Sequence, residues 1–164
     1  MSSIAHLSLG SNVGDRQQHL RDAISRLEAE GRVIAVSSFY ETEPVDFTAQ
    51  PWFVNGALAL ETDQSPKALM RAVLRIELEM GRQRTENKGP RIIDIDILLY
   101  DDLIVDSDDL TIPHPAMHER RFVLEPLVEI APAAKHPLLL KTVAELRDEL
   151  REREGQAVSQ LKRR

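Results

Sequence analysis

Cysteine is missing altogether from this 164-residue chain. Its absence removes a disulfide framework, a thiolate zinc site and a thiol nucleophile. Aromatic residues are scarce, at 4% of the total, which counts against a sheet that stacks RNA bases. Positive charge is in deficit too, with 21 Lys and Arg against 27 Asp and Glu and a formal net charge of -6. Phosphate backbones attract basic surfaces, so a general nucleic-acid binder is not expected. No apolar run approaches the roughly 18 residues of a membrane span, and Met1-Ser2-Ser3 leads straight into a strand with no basic-then-apolar signal pattern. The expectation is a cytoplasmic monomer with no membrane partner. At 42% hydrophobic, residues 1–164 suffice for a single domain with a real core and are too few for two.

What the chain does have is concentrated in Gly89-Pro90-Arg91-Ile92-Ile93-Asp94-Ile95-Asp96-Ile97-Leu98-Leu99-Tyr100. Gly-Pro punctuates the backbone, and the run after it is β-branched and aliphatic with period-two alternation, so it reads as a turn feeding a strand. Ile93, Ile95, Ile97 and Leu99 share the core face, and Asp94, Asp96, Leu98 and Tyr100 share the other. Two acids one repeat apart on a strand stand roughly 6.5 to 7 Å from each other. Asp is a poor strand former, and paired carboxylates repel unless positive charge lies between them. A bare D-x-D is often a solvated sheet face, but Arg82, Arg84, Lys88 and Arg91 crowd the ten residues before this one. Hard carboxylate oxygens suit Mg²⁺, which prefers a few acids plus substrate phosphate oxygens, and arginine forks grip phosphate. Acids that hold metal beside bases that hold phosphate fit a nucleoside triphosphate.

Taken in order, Ile4 to Leu9 is a strand that breaks at Gly10-Ser11-Asn12-Val13-Gly14, and the next helix aligns Leu20, Ala23, Ile24 and Leu27. The glycine turn lacks the lysine and spacing of a phosphate loop and reads as a tight connection, with Asn12 or Asp15 as helix cap. Val33 to Tyr40 is a second strand, residues 41–51 a long loop, and Trp52 to Glu61 a third strand. In that strand Asn55 is an amide among apolar neighbours: it bonds backbone, or it reads the edge of a flat heterocycle with Phe53 available for stacking. Ser65-Pro66 opens a helix with Leu69, Val73, Ile76 and Met80 on its buried stripe, and Glu77 reads as a solvated surface acid. Beyond the two aspartates, residues 103–112 form a hairpin around an acidic turn. His114 between two prolines is balanced between an anion contact and a structural role. His6, His19, His118 and His136 show no ligand spacing. Pro126, Pro132 and Pro137 make the next region irregular, Thr142 and Glu145 form a capping box, and the charged tail 151–164 is expected to fray, with a continued surface helix as the alternative.

The order β-α-β-β-α-β, then a hairpin and a C-terminal helix, predicts an α+β fold with a ferredoxin-like core. A fold does not fix a function. On the same core, a D-x-D pair also serves a nucleotidyl transferase or cyclase attacking the α-phosphorus, and a non-catalytic regulatory or RNA-binding module remains a third reading.

The motif Gly89-Pro90-Arg91-x-x-Asp94-Ile95-Asp96-Ile97-Leu98 resembles the signature of the 6-hydroxymethyl-7,8-dihydropterin pyrophosphokinase family of folate biosynthesis. Gly10-Ser11-Asn12, Ser38-Phe39-Tyr40-x-Thr42, Gln50-Pro51-x-Phe53-x-Asn55, Arg75-Ile76-Glu77, Gly81-Arg82-x-Arg84 and Pro113-His114-Pro115 look like further landmarks in the right order, over roughly residues 4–135. The resemblance implies transfer of the two terminal phosphates of ATP, as a unit, to the hydroxymethyl group of the dihydropterin. It implies two Mg²⁺ ions on Asp94 and Asp96, with Arg82 and Arg91 stabilising the migrating group. Arg84, His114 and Arg120 would grip ATP, and Glu77, Ile97 and Thr111 would lie nearer the nucleoside. Thr42, Val45, Phe53, Asn55 and Phe122 would line the pterin slot, with loops 41–51 and 82–91 closing over the site. Four positions depart from the family pattern: Lys88 for a tryptophan, Thr85 for a lysine, Leu74 for a polar residue and Pro115 for a tyrosine.

Overall fold

The computed structural model describes residues 2–42, 52–81, 91–153 and 158–161. Val45, Arg82, Arg84, Thr85, Lys88 and most of the two expected loops lie outside these.

The centre is an antiparallel sheet. β1 (Ser3–Ser11) lies between β5 (Asp94–Tyr100) and β4 (Phe53–Thr62), and β4 carries β2 (Arg32–Val36) and β3 (Tyr40–Thr42) on its far side. One face packs against α1 (Arg16–Leu27) and α2 (Pro66–Glu79), where Leu20, Ala23, Leu27, Leu69, Val73 and Ile76 meet Leu7, Leu9, Val54, Leu58, Leu60, Ile95 and Ile97. The periodic stripes dictate this, and the caps mark its ends: Asp15 accepts the Gln18 N–H at 3.2 Å and Ser65 the Ala68 N–H at 3.2 Å. The opposite face packs Ala57, Leu98 and Leu99 against α3 (Arg121–Ile130) and α4 (Val143–Arg153) through Val123, Leu124, Leu127, Val143, Leu146 and Leu150. Helices therefore cover both faces of the sheet. The hairpin is present as β6 (Val105–Ser107) and β7 (Leu110–Ile112), and the Thr142–Glu145 capping box closes at 2.9 and 3.2 Å.

Four expectations are corrected. The strand expected over 33–40 divides at Ser37–Phe39, where side chains join the Ser37 N–H to Ala57 carbonyl bond of 2.8 Å in holding the chain. The Ser37 hydroxyl accepts the Ala57 N–H at 2.9 Å, and Ser38 donates its N–H and hydroxyl to Glu129 of α3 at 2.8 and 3.1 Å. The region of Pro126, expected to be irregular, is helix α3. A mid-helix proline costs about 3 kcal/mol, but three buried apolar side chains, Val123, Leu124 and Leu127, return roughly 1.5–3 kcal/mol each. In β5 the register passes from Leu7↔Ile97 to His6↔Leu99, so Leu98 is an extra residue. Beyond this bulge the alternation resets. Leu99 joins the α3–α4 side, while Tyr100 turns to the α1–α2 core and donates its hydroxyl to the Gln64 carbonyl. Finally, among the described residues of the tail, α4 runs to Arg153, and β8 (Val158–Gln160) adds to β3.

Candidate active site

Cross-strand partners in a sheet share a face, and the register places the proposed chemistry in one row. Asp94 pairs with Gly10, Gly10 with Asn55, and Asn55 with Tyr40; the next row is Asp96, Ser8, Ala57. Both acids thus project on the α3–α4 side but at its open end, with side chains 27% and 35% exposed.

Positive charge does lie beside the acids. Arg91 donates from Nη1 to Asp94 Oδ2 at 3.1 Å. Arg91 is itself fixed by Asn12, whose Oδ1 accepts the Arg91 N–H at 2.7 Å and whose N–H donates to the Arg91 carbonyl at 3.0 Å. Asn12 is buried, and Asp15 caps the helix instead. The sequence signal for Asn12 was a polar amide at the end of a strand, indistinguishable there from a turn residue.

His114 Nε2 stands 4.0 Å from Asp96 Oδ1. The His114 N–H donates to the Leu98 carbonyl at 3.0 Å, and the ring Nδ1 accepts the Ala116 N–H at 3.2 Å. With Nδ1 an acceptor, a neutral ring carries its proton on Nε2, toward the acids. Burial, then the nearby Arg120 guanidinium, push His114 down to about 4, with Asp94 opposing in part. The ring is neutral at pH 7. Arg120 also stacks over Phe122, 5.6 Å from the ring centroid.

On the other side of Gly10, Asn55 and Thr42 are buried, and the Thr42 hydroxyl donates to Asn55 Oδ1 at 2.6 Å. That bond fixes the amide: its oxygen is taken, and its NH₂ points the other way. A Cβ on Gly10 would fall 2.8 Å from Asn55 Nδ2 and 3.7 Å from Phe53 Cδ1. Gly10 is therefore a candidate site residue, read in the sequence as part of a turn and of a family landmark and not among the binding residues. Asn55 finds a side-chain partner rather than the backbone.

Glu77 corrects the reading as a solvated surface acid. It is 1% exposed and accepts the Ile95 N–H at 2.8 Å. β5 is a sheet edge, so its outward N–H groups need partners, and Glu77 supplies one. Ile97 has its side chain in the core, which leaves only its main chain for a ligand; by alternation its N–H faces the same edge as that of Ile95. Thr111 is exposed on β7, three residues before His114. Asp94, Asp96, Arg91, His114 and Arg120 are thus brought together, as are Thr42, Phe53 and Asn55.

Among the described residues no group of three or more His, Cys, Asp or Glu forms a metal cage. Two half-open carboxylates are still a fitting donor set for Mg²⁺, which keeps waters and takes phosphate oxygens.

A family model described as 7,8-dihydro-6-hydroxymethylpterin-pyrophosphokinase (HPPK) matches residues 6–132. The chain belongs to this family. The 2-amino-4-hydroxy-6-hydroxymethyldihydropteridine pyrophosphokinase of Bacillus subtilis is 44% identical over 79% of this chain and 79% of its own length. The folic acid synthesis protein fol1 of Schizosaccharomyces pombe is 48% identical over 91% of this chain, which spans only 21% of that protein. The crystal structure of wild-type Plasmodium falciparum HPPK-DHPS with STZ-DHP superposes with a TM-score of 0.74 at 19% identity, over 93% of this chain and 44% of the other. At that identity the likeness concerns the fold.

Proposed function

We propose that this chain transfers pyrophosphate from ATP to 6-hydroxymethyl-7,8-dihydropterin, giving AMP and the pterin pyrophosphate for folate synthesis. The observation that carries the reading is the single row Asp94, Gly10, Asn55 on one sheet face, which sets an acidic pair and an oriented amide on either side of a residue without a side chain. Family membership supports the reaction type, and the strand order β5-β1-β4, with β2 paired to the far edge of β4 beside β3, supports a ferredoxin-like core.

Asp94 and Asp96 would hold Mg²⁺, two ions in this reading, and the metal would supply charge neutralisation for the triphosphate and the acceptor hydroxyl. Arg91, with Arg82, stabilises charge on the migrating group, while Arg84 and Arg120 grip ATP. His114 adds a neutral donor, so it binds an anion without competing for the acids. Glu77 and the edge of β5 at Ile97 face the nucleoside, with Thr111 near it. On the pterin side Asn55 presents its NH₂ to a heterocycle acceptor, with Thr42 behind it, and Phe53, Phe122 and Val45 supply apolar and aromatic surface. Little covalent chemistry falls to the protein: alignment and electrostatics carry phosphoryl transfer, here with attack on the β-phosphorus.

The test is the pair of variants Asp94→Ala and Asp96→Ala, assayed for AMP and pyrophosphate by chromatography. Each should lower AMP formation at least roughly a hundredfold, as loss of a metal-site partner does, with an unchanged circular-dichroism spectrum. Near-normal turnover with Mg-ATP would refute the metal assignment. Release of pyrophosphate by the parent protein would place it instead among enzymes that attack the α-phosphorus.

A further inference from the structure

Arg16 is a cation at the unfavourable end of its helix. It is the first residue of α1, where the amide dipoles leave partial positive charge, and no acid occupies that first turn. A residue that breaks a local rule is where a non-local task is found. The Arg16 guanidinium donates from Nη2 to Glu41 Oε2 at 3.0 Å and from Nη1 to the carbonyl of Trp52. Glu41 belongs to β3, and Trp52 immediately precedes β4. These strands pair Glu41 with Val54 and Thr42 with Phe53. One planar fork therefore bridges both strands at their open end.

The bridge lies behind the site, not in it. Alternation puts Tyr40, Thr42, Phe53 and Asn55 on the α3–α4 face and Glu41 and Val54 on the other. Val54 is in the core shared with α1. Among the described residues the hydrogen bonds of the Arg16 side chain go to Glu41 and Trp52 and to no proposed pterin residue, yet it spans the strand pair that carries three of them.

We propose that Arg16 is a positioning residue for the pterin side: by tying Glu41 to Trp52 it sets the spacing of β3 and β4 at the Thr42–Phe53 pair, and with it the Thr42–Asn55 bond that orients the amide. The inference rests on the reading of that face as the pterin slot. Arg16 and Glu41 have side chains 28% and 33% exposed, and such a pair contributes little stability on its own. Its effect is geometric, because binding groups must be held within about half an ångström and a misplacement of about 1 Å can cost about a hundredfold.

The experiment measures three quantities in parent and variant proteins: the Kd of hydroxymethyl-dihydropterin by fluorescence with a non-hydrolysable Mg-ATP analogue present, the Kd of that analogue alone, and the melting temperature. Arg16→Met keeps the aliphatic stem and loses every donor. It should weaken pterin binding about tenfold and leave analogue binding within about twofold. Arg16→Lys, which reaches one acceptor but not both, should fall between. Glu41→Gln should lose less than Arg16→Met, and the double variant should be no worse than Arg16→Met alone, because the two residues act through one bridge. Unchanged pterin affinity in Arg16→Met overturns the proposal. So does a parallel loss of both affinities with the melting temperature, which is the mark of general structural support. Failure of the parent protein to bind the pterin at all would instead defeat the functional reading beneath it.

Discussion

Asn55 shows how much a single bond decides. An amide is nearly symmetric in shape, and only its hydrogen-bond partners tell oxygen from nitrogen. The Thr42 hydroxyl, 2.6 Å from Asn55 Oδ1, makes that choice, and Gly10 leaves the space in which the NH₂ sits. Thr42→Val keeps the branched shape and removes the donor, leaving a buried acceptor unpaired at about 1–3 kcal/mol. The KM for the pterin should rise roughly tenfold with kcat and the KM for ATP nearly unchanged, as steady-state kinetics would read. An unaltered pterin KM would show that the amide is oriented by something else. Asn55 and Phe53 were legible as candidates in the chain itself, but the bond that orients the amide was not. Gly10, Asn12 and Glu77 are ordinary residues whose neighbours lie 45, 79 and 18 positions away at Asn55, Arg91 and Ile95, and local pattern contains no term for such a pairing. Asp94 and Asp96 were legible because the anomaly is local: two acids in an aliphatic strand.

Among the elements, α3 was hidden by Pro126 and is held by charges that sequence spacing does not pair. Glu125 of α3 accepts from Arg121 at 2.9 Å, from Arg151 of α4 at 2.7 and 2.8 Å, and from Arg147 at 3.4 Å. Burial pushes this carboxyl up, but the bonds from Arg151 and Arg121 outweigh it and hold Glu125 below its ordinary 4.5. A depressed acid stabilises the fold above its unfolded pKa, and that contribution fades as pH falls through the folded value. Thermal melts of the parent protein should therefore lose stability as pH drops below about 4.5. Glu125→Gln should lack that component and be destabilised at neutral pH by roughly 2–3 kcal/mol, less than for a wholly buried pair because Arg151 is half exposed. Identical melts for parent and variant at pH 7 would mean that the cluster is ornamental. The helices with clean stripes and caps, α1, α2 and α4, were readable because amphipathic period and capping chemistry agree. The β2–β3 break at Ser37, the bulge at Leu98 and strand β8 depend on partners across the sheet, which no local window contains.

At the scale of the whole molecule, the sheet carries its core between two helical layers and leaves one end of a face open. There Asp94, Gly10 and Asn55 lie in register across β5, β1 and β4, so the metal, phosphate and heterocycle chemistry we propose would fall on one line set by strand pairing. The matched stretch makes up 79% of the Bacillus pyrophosphokinase and 21% of fol1, and the family model covers residues 6–132, which include the proposed site. The account stands or falls on coupling between the two halves of the row. Purified protein with Mg-ATP should release AMP at a measurable rate only when 6-hydroxymethyl-7,8-dihydropterin is added, one AMP for each pterin consumed. AMP formed equally well without the pterin, or no AMP with it, would contradict the account.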